Sequence, residues 1–220
     1  MAEPPPPSTR LERLTLTGPA GQLEALLERD PSRSPRRAAL VCHPHPQFGG
    51  TMHNKVVFRA AKAMVEAGAA VLRFNFRGVG TSEGEYDGGV GERDDVRAAL
   101  DALTSRFPAA RLCLAGFSFG ASVGLAAGAG DRRVEVLVGL GLPVASTDFG
   151  FLRQAAKPKL IVQGTEDEYG PRAAVEALFR SLPDPKRIHW VDGADHFFTG
   201  RLDEVQAAIR GFVEETLIEG

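Results

Sequence analysis

One serine, one aspartate and one histidine stand in this chain in an order that could carry nucleophilic catalysis. The serine is Ser118, within Gly116-Phe117-Ser118-Phe119-Gly120. A serine hydroxyl is a weak nucleophile at neutral pH. It needs an imidazole to take its proton, and the imidazole needs a carboxylate to orient it. Small residues two positions either side are what a sharp strand-to-helix turn around such a serine demands. In a chain with 25 glycines the pentapeptide alone is a weak signal. Its weight comes from the apolar run Leu112–Phe117 before it and the helical, small-residue run Ser118–Ala129 after it. The start of that helix aims backbone amides at any developing oxyanion, the amide of Phe119 first.

Five histidines are present: His43, His45, His53, His189 and His196. Only the last two follow Ser118. His189 lies inside a predicted strand, between Ile188 and Trp190, where a structural role is expected. His196 lies in Asp192-Gly193-Ala194-Asp195-His196-Phe197-Phe198, between the last predicted strand and the last helix, and is the expected base. The acid should end the strand before. Leu160–Gly164 runs into Thr165-Glu166-Asp167-Glu168, which places Asp167 best. Asp195 is the weaker candidate, because neighbours in a loop rarely aim side chains at each other.

A second oxyanion donor is expected from the loop His43 to Asn54. Pro44 and Pro46 have no N–H, which leaves His45, Gln47 or Phe48, with His45 favoured and Gln47 next. His43, His45 and His53 lack an acid or thiol at ligand spacing, so no metal is expected, and no cofactor. The loop Arg77-Gly78-Val79-Gly80-Thr81-Ser82-Glu83-Gly84 matches a dinucleotide-binding turn only weakly; its glycines are expected to let it pass close beneath the site. Phe48, Phe117, Phe119, Phe197 and Phe198 are candidates to line a pocket, Phe48 and Phe197 above all.

These residues need a scaffold. A hairpin is predicted first, over Leu11–Thr17 and Gln22–Glu28. Apolar strand runs then alternate with helical ones: strands at Ala38–His43, Ala69–Phe76, Leu112–Phe117, Val134–Leu142, Leu160–Gly164 and Lys186–Val191, and helices at Asn54–Gly68, Gly91–Phe107, Ser118–Ala129, Arg172–Leu182 and Leu202–Ile218. Such alternation predicts an α/β fold: a doubly wound, mostly parallel sheet of about eight strands, buried on both faces, with an antiparallel hairpin at its N-terminal edge. The segment after Leu142 is short, so little or no cap is expected. Residues 1–10 read as a disordered proline-rich tail, and 11–220 as a single domain.

Bulk properties agree with that reading. The 220 residues are 43% hydrophobic and 25% charged, with a net charge of −2. So even a balance gives no reason to expect nucleic acid or an anionic membrane as partner. Pro4–Pro7 break any signal-peptide core, and the uncharged stretch Leu112–Gly130 carries too many glycines to read as a membrane span. Cys42 and Cys113 sit in strand runs as small hydrophobes. A cytoplasmic protein, monomer or homodimer, is the expectation.

The whole chain from Leu11 on resembles the α/β-hydrolase superfamily. More narrowly it resembles the small, cap-poor bacterial serine hydrolases near the dienelactone hydrolases. His-Pro-His-Pro (43–46), Gly-Gly-Thr-Met-His-Asn-Lys (49–55), Phe-Asn-Phe-Arg-Gly-Val-Gly-Thr-Ser (74–82), Gly-Phe-Ser-Phe-Gly (116–120) and Asp-His-Phe-Phe (195–198) carry the likeness. It implies hydrolysis of a small-molecule carboxylic ester by a triad of Ser118, Asp167 and His196. Dienelactone hydrolases themselves use a cysteine where this chain has Ser118, and the superfamily usually has His-Gly where this chain has His43-Pro44. A thioesterase, amidase or peptidase would use the same three groups. A non-catalytic binding protein on the same scaffold would have no need to keep them in order.

Overall fold

A computed structural model of the chain describes residues 9–32 and 34–217. Most of the expected proline-rich tail, residues 1–8, lies outside the described residues, as does Ile218, the expected end of the last helix. Eight strands form one sheet: β1 (Arg10–Gly18), β2 (Gly21–Arg29), β3 (Arg37–Cys42), β4 (Ala69–Phe74), β5 (Arg111–Phe117), β6 (Val134–Leu140), β7 (Lys159–Gly164) and β8 (Lys186–Val191). Five helices accompany them: α1 (Lys55–Glu66), α2 (Gly91–Arg106), α3 (Phe119–Ala129), α4 (Arg172–Ser181) and α5 (Leu202–Thr216).

The spatial order is β1-β2-β4-β3-β5-β6-β7-β8. β1 and β2 pair antiparallel, β2 joins β4 antiparallel, and every later pairing is parallel. The mixed sheet with its N-terminal edge hairpin is the architecture the alternation predicts. The central strands are buried on both faces, and their residues alternate between two cores. Ala38, Leu40 and Cys42 of β3 join the core that includes Val96, Leu100, Leu125 and Val175. Ala39 and Val41 join the core on the other face, with Val57, Met64, Ile209 and Phe212. Helices α2, α3 and α4 therefore cover one face, and α1 and α5 the other. Asn54 caps α1, its side chain accepting the Val56 N–H at 2.9 Å.

The strand order reverses direction at β3. β4 lies on one side of it and β5 on the other. Loops leaving the carboxyl ends of β3 and β5 thus diverge, and an open α/β sheet has its crevice there. Between β6 and β7 the chain makes only a 3-10 turn at Gly150–Gln154, so little stands there as a cap. One expectation fails. The glycine-bearing loop after β4 folds back over the edge hairpin instead of passing beneath the crevice. Ser82 Oγ accepts the Glu24 N–H at 2.9 Å and donates to the Asn75 carbonyl at 2.8 Å, while the Glu83 N–H donates to the Gln22 carbonyl at 2.8 Å and Glu83 Oε2 accepts the Gln22 N–H at 2.7 Å. Only its continuation, at Tyr86, returns to the crevice.

Candidate active site

Ser118 sits between β5 and α3 with φ 55 and ψ −118, a backbone region that side-chain-bearing residues rarely adopt. The surroundings hold it there. Its N–H donates to the Leu140 carbonyl at 2.9 Å, and its carbonyl accepts from Ala121 and Ser122 at 2.9 and 3.1 Å. A Cβ on Gly116 would lie 2.2 Å from the Gly120 carbonyl oxygen, and one on Gly120 would lie 2.4 Å from the carbonyl oxygens of Cys42 and His43. The two glycines are thus a steric condition: one lets the turn close on itself, the other lets α3 start against the end of β3.

His196 Nε2 lies 2.9 Å from Ser118 Oγ, and His196 Nδ1 lies 2.8 Å from Asp167 Oδ2. The carboxylate can only accept, so the imidazole proton sits on Nδ1 and the Nε2 lone pair faces the serine hydroxyl. Histidine and aspartate are 5% and 3% exposed. The imidazole packs on Phe117, Tyr169 and Phe197 at centroid distances of 5.0, 4.6 and 5.3 Å. The structure therefore brings Ser118, His196 and Asp167 into one hydrogen-bonded line. Asp195 takes no part in it. Its carboxylate accepts the Phe197 and Thr199 N–H groups and the Thr199 hydroxyl, and the Thr199 amide chiefly holds its carboxyl below the usual range. His189 pairs with Glu204 at 3.1 Å on the outer surface.

Asp167 is itself held by four bonds. Oδ1 accepts the Tyr169 and Gly170 N–H groups at 2.9 and 3.1 Å. Oδ2 accepts His196 and also Gln163 Nε2 at 2.7 Å. Gln163 was not foreseen from the sequence. It is fully buried near the end of β7, its Oε1 accepts the Leu142 N–H at 2.8 Å, and its Nε2 also reaches the Gly170 carbonyl at 3.3 Å. These partners fix which end of the amide is oxygen. A polar residue ending the apolar run Leu160-Ile161-Val162 was the one available signal.

The loop after β3 is tied down by His43, which is fully buried. Its Nδ1–H donates to the Pro44 carbonyl at 2.7 Å, and its Nε2 accepts the Phe76 N–H at 3.0 Å. Burial pushes its pKa down to about 4, so it stays neutral and both nitrogens serve the fold. Pro46–Phe48 form a 3-10 turn in which Phe48 and Gly50 donate to the His45 carbonyl. The Gln47 N–H donates to His45 Nδ1 at 3.2 Å. That occupies the amide expected as the alternative oxyanion donor, and Gln47 is set aside for that role. The N–H groups of His45 and Phe119 have no protein acceptor among the described residues. Phe48 and Phe197 are 85% and 52% exposed at the mouth, whereas Phe117 and Phe198 are core.

The model of the alpha/beta hydrolase domain family matches residues 38–208. A lidless serine hydrolase of this fold from Xanthomonas campestris is 38% identical, with a TM-score of 0.88, over 96% of this chain and 97% of that one. An alpha-beta serine hydrolase homologue from Coxiella burnetii is 42% identical, with a TM-score of 0.85, over 91% and 96% of the two chains. An uncharacterized protein of Rickettsia prowazekii is 37% identical over 92% of this chain and 89% of its own length. The chain belongs to the α/β-hydrolase family and is a hydrolase of the serine type.

Proposed function

We propose that this α/β-hydrolase is an esterase that cleaves carboxylic esters of small or short-chain acyl groups through an acyl-enzyme on Ser118. The continuous line Asp167 Oδ2–His196–Ser118 Oγ, at 2.8 and 2.9 Å, is the observation that carries the reading. His196 Nε2 takes the hydroxyl proton as Ser118 Oγ attacks the ester carbonyl. Asp167 keeps the imidazole oriented and stabilises its charged form. The Phe119 and His45 amides, which have no protein acceptor to give up, bind the oxyanion. His196 then returns the proton to the departing alcohol. Water, deprotonated by the same nitrogen, releases the acid and restores Ser118. The small cap leaves the mouth open, and the exposed Phe48 and Phe197 are the proposed substrate contacts.

The test is turnover of p-nitrophenyl acetate, butyrate and octanoate by the protein and by Ser118→Ala, with fluorophosphonate labelling alongside. Hydrolysis falling with chain length, lost in Ser118→Ala, is expected. Activity retained in that variant overturns the nucleophile. An unlabelled, inactive wild-type protein would favour a binding role on this scaffold.

A further inference from the structure

Beside the two free amides stands a cluster that the triad does not use. The rings of His45 and Phe119, whose amides are the proposed oxyanion donors, pack at 4.9 Å. Phe48 and Tyr86 pack on the same imidazole at 4.6 and 5.1 Å, and Tyr86 lies 5.9 Å from Phe119. The rings are tilted by 42 to 52°, which leaves edges and faces on offer to a further ring. Phe48 is 85% exposed.

Tyr86 supplies a polar handle, and the hydrogen-bond network fixes its direction. His45 Nδ1 accepts from Gln47, so it carries no proton. Burial lowers the His45 pKa, which favours the neutral ring, and its one proton must then sit on Nε2. That N–H faces Tyr86 Oη at 3.2 Å, so the phenol accepts there. Its own hydrogen is left over, with no protein acceptor among the described residues. The loop carrying it is held in place beforehand. Glu92, fully buried, accepts the Asp87 and Gly89 N–H groups at 2.9 and 2.7 Å, and Asp87 accepts the Gly91 N–H at 3.1 Å. The Glu92 and Asp87 carboxylates also make this corner unwelcoming to an anion.

We propose that His45, Phe48, Tyr86 and Phe119 form the binding site for an aromatic group of the ester, and that the Tyr86 hydroxyl donates to a neutral oxygen substituent on that ring. This rests on the esterase reading and names the substrate class for the same site: aryl esters carrying an ether or hydroxyl oxygen. A ring gains from the edges and faces presented there, and a neutral oxygen meets the leftover phenolic hydrogen without bringing charge near Glu92.

Two measurements keep this apart from the chemistry. The first is kcat/KM for ethyl benzoate, ethyl 3- and 4-methoxybenzoate, phenyl acetate, 3- and 4-methoxyphenyl acetate, and the cyclohexyl counterparts of the unsubstituted pair. The second is equilibrium binding of the same esters to Ser118→Ala, which needs no turnover. A stacked ring and one hydrogen bond are each worth about five- to tenfold at this scale. Aryl should therefore exceed cyclohexyl by about that factor in at least one series, and a methoxy group should add a similar gain. Tyr86→Phe should bring the ratio of methoxy-substituted to unsubstituted ester to about one, and Phe48→Ala should lower the aryl preference. Equal handling of aryl and cyclohexyl groups, or a methoxy gain that survives Tyr86→Phe, overturns the proposal. Binding with these preferences but no turnover by the wild-type protein would overturn the esterase reading and leave the aromatic site standing.

Discussion

The two sides of Ser118 are built from different materials. On the His196 side, side chains hold side chains: the Asp167 carboxylate accepts four hydrogen bonds from four residues, and one of them is the imidazole facing the serine. On the His45 side, the groups proposed to work are backbone amides and ring faces, and the polar side chains, such as His43, brace the loop from behind. The first side is tied to residue identity, because only a carboxylate can accept those bonds. The second is tied to backbone path, because any residue but proline supplies an amide. Substitutions should therefore act on the chemistry on one side and on the shape of the loop on the other.

The sharpest probe of that difference is Asp167→Asn. The shape is kept, but the amide no longer holds the Nδ1–H tautomer, so kcat should fall roughly a thousand- to ten-thousandfold. The folding midpoint should change far less than the rate. A rate within tenfold of the wild type would mean that Asp167 does not orient the base.

Acidification probes the other side. His43 has a pKa pushed down to about 4 by burial, against an ordinary value of 6.5 when unfolded. Between those values the unfolded chain binds the proton and the folded chain does not. The stability that neutral His43 allows is therefore fully present above pH 6.5 and is lost progressively as the pH falls to about 4. The loss approaches about 3 kcal/mol, a hundredfold or more in the folding equilibrium. Denaturant titrations across that range should show the slope, and His43→Gln should flatten it. An unchanged slope would mean that other groups dominate acid unfolding.

The smallest expected effect sharpens the first side. Gln163→Met keeps the length of the side chain but removes the second donor to Asp167 Oδ2. The carboxylate then attracts the imidazolium more strongly, so the acid limb of kcat/KM should move to higher pH, with a plateau lowered about three- to tenfold. Ser118, Tyr169 and Asp195 are the other titratable or hydroxyl groups around His196, and this variant leaves them in place. A lowered plateau with no shift in the limb would assign Gln163 to packing alone.

The same contrast explains what the sequence disclosed. Periodicity located all eight strands and five helices to within a residue or two, because burial on both faces leaves continuous apolar runs. Ser118, Asp167 and His196 could be singled out because each lies within five residues of the end of a strand, where chain order dictates spatial order. Gln163 could not. Its meaning depends on Leu142, contributed by the neighbouring strand's loop, and on the Gly170 carbonyl. Tyr86 was equally hidden: the loop after β4 leaves the site to bond with the hairpin before it returns, and no local pattern announces the return. The bond that engages the Gln47 N–H was hidden for a similar reason, since its acceptor is the ring of His45.

The short passage between β6 and β7, where a cap might have stood, bears on the fate of the intermediate. An acyl group on Ser118 would stand beneath an open mouth, within reach of bulk water. Competing alcohols, present at far lower concentration, would seldom reach it first. If the proposed esterase reading holds, such a catalyst would run one way: it would degrade esters readily and make a poor transferase or synthetic tool, unless the surroundings themselves were dried.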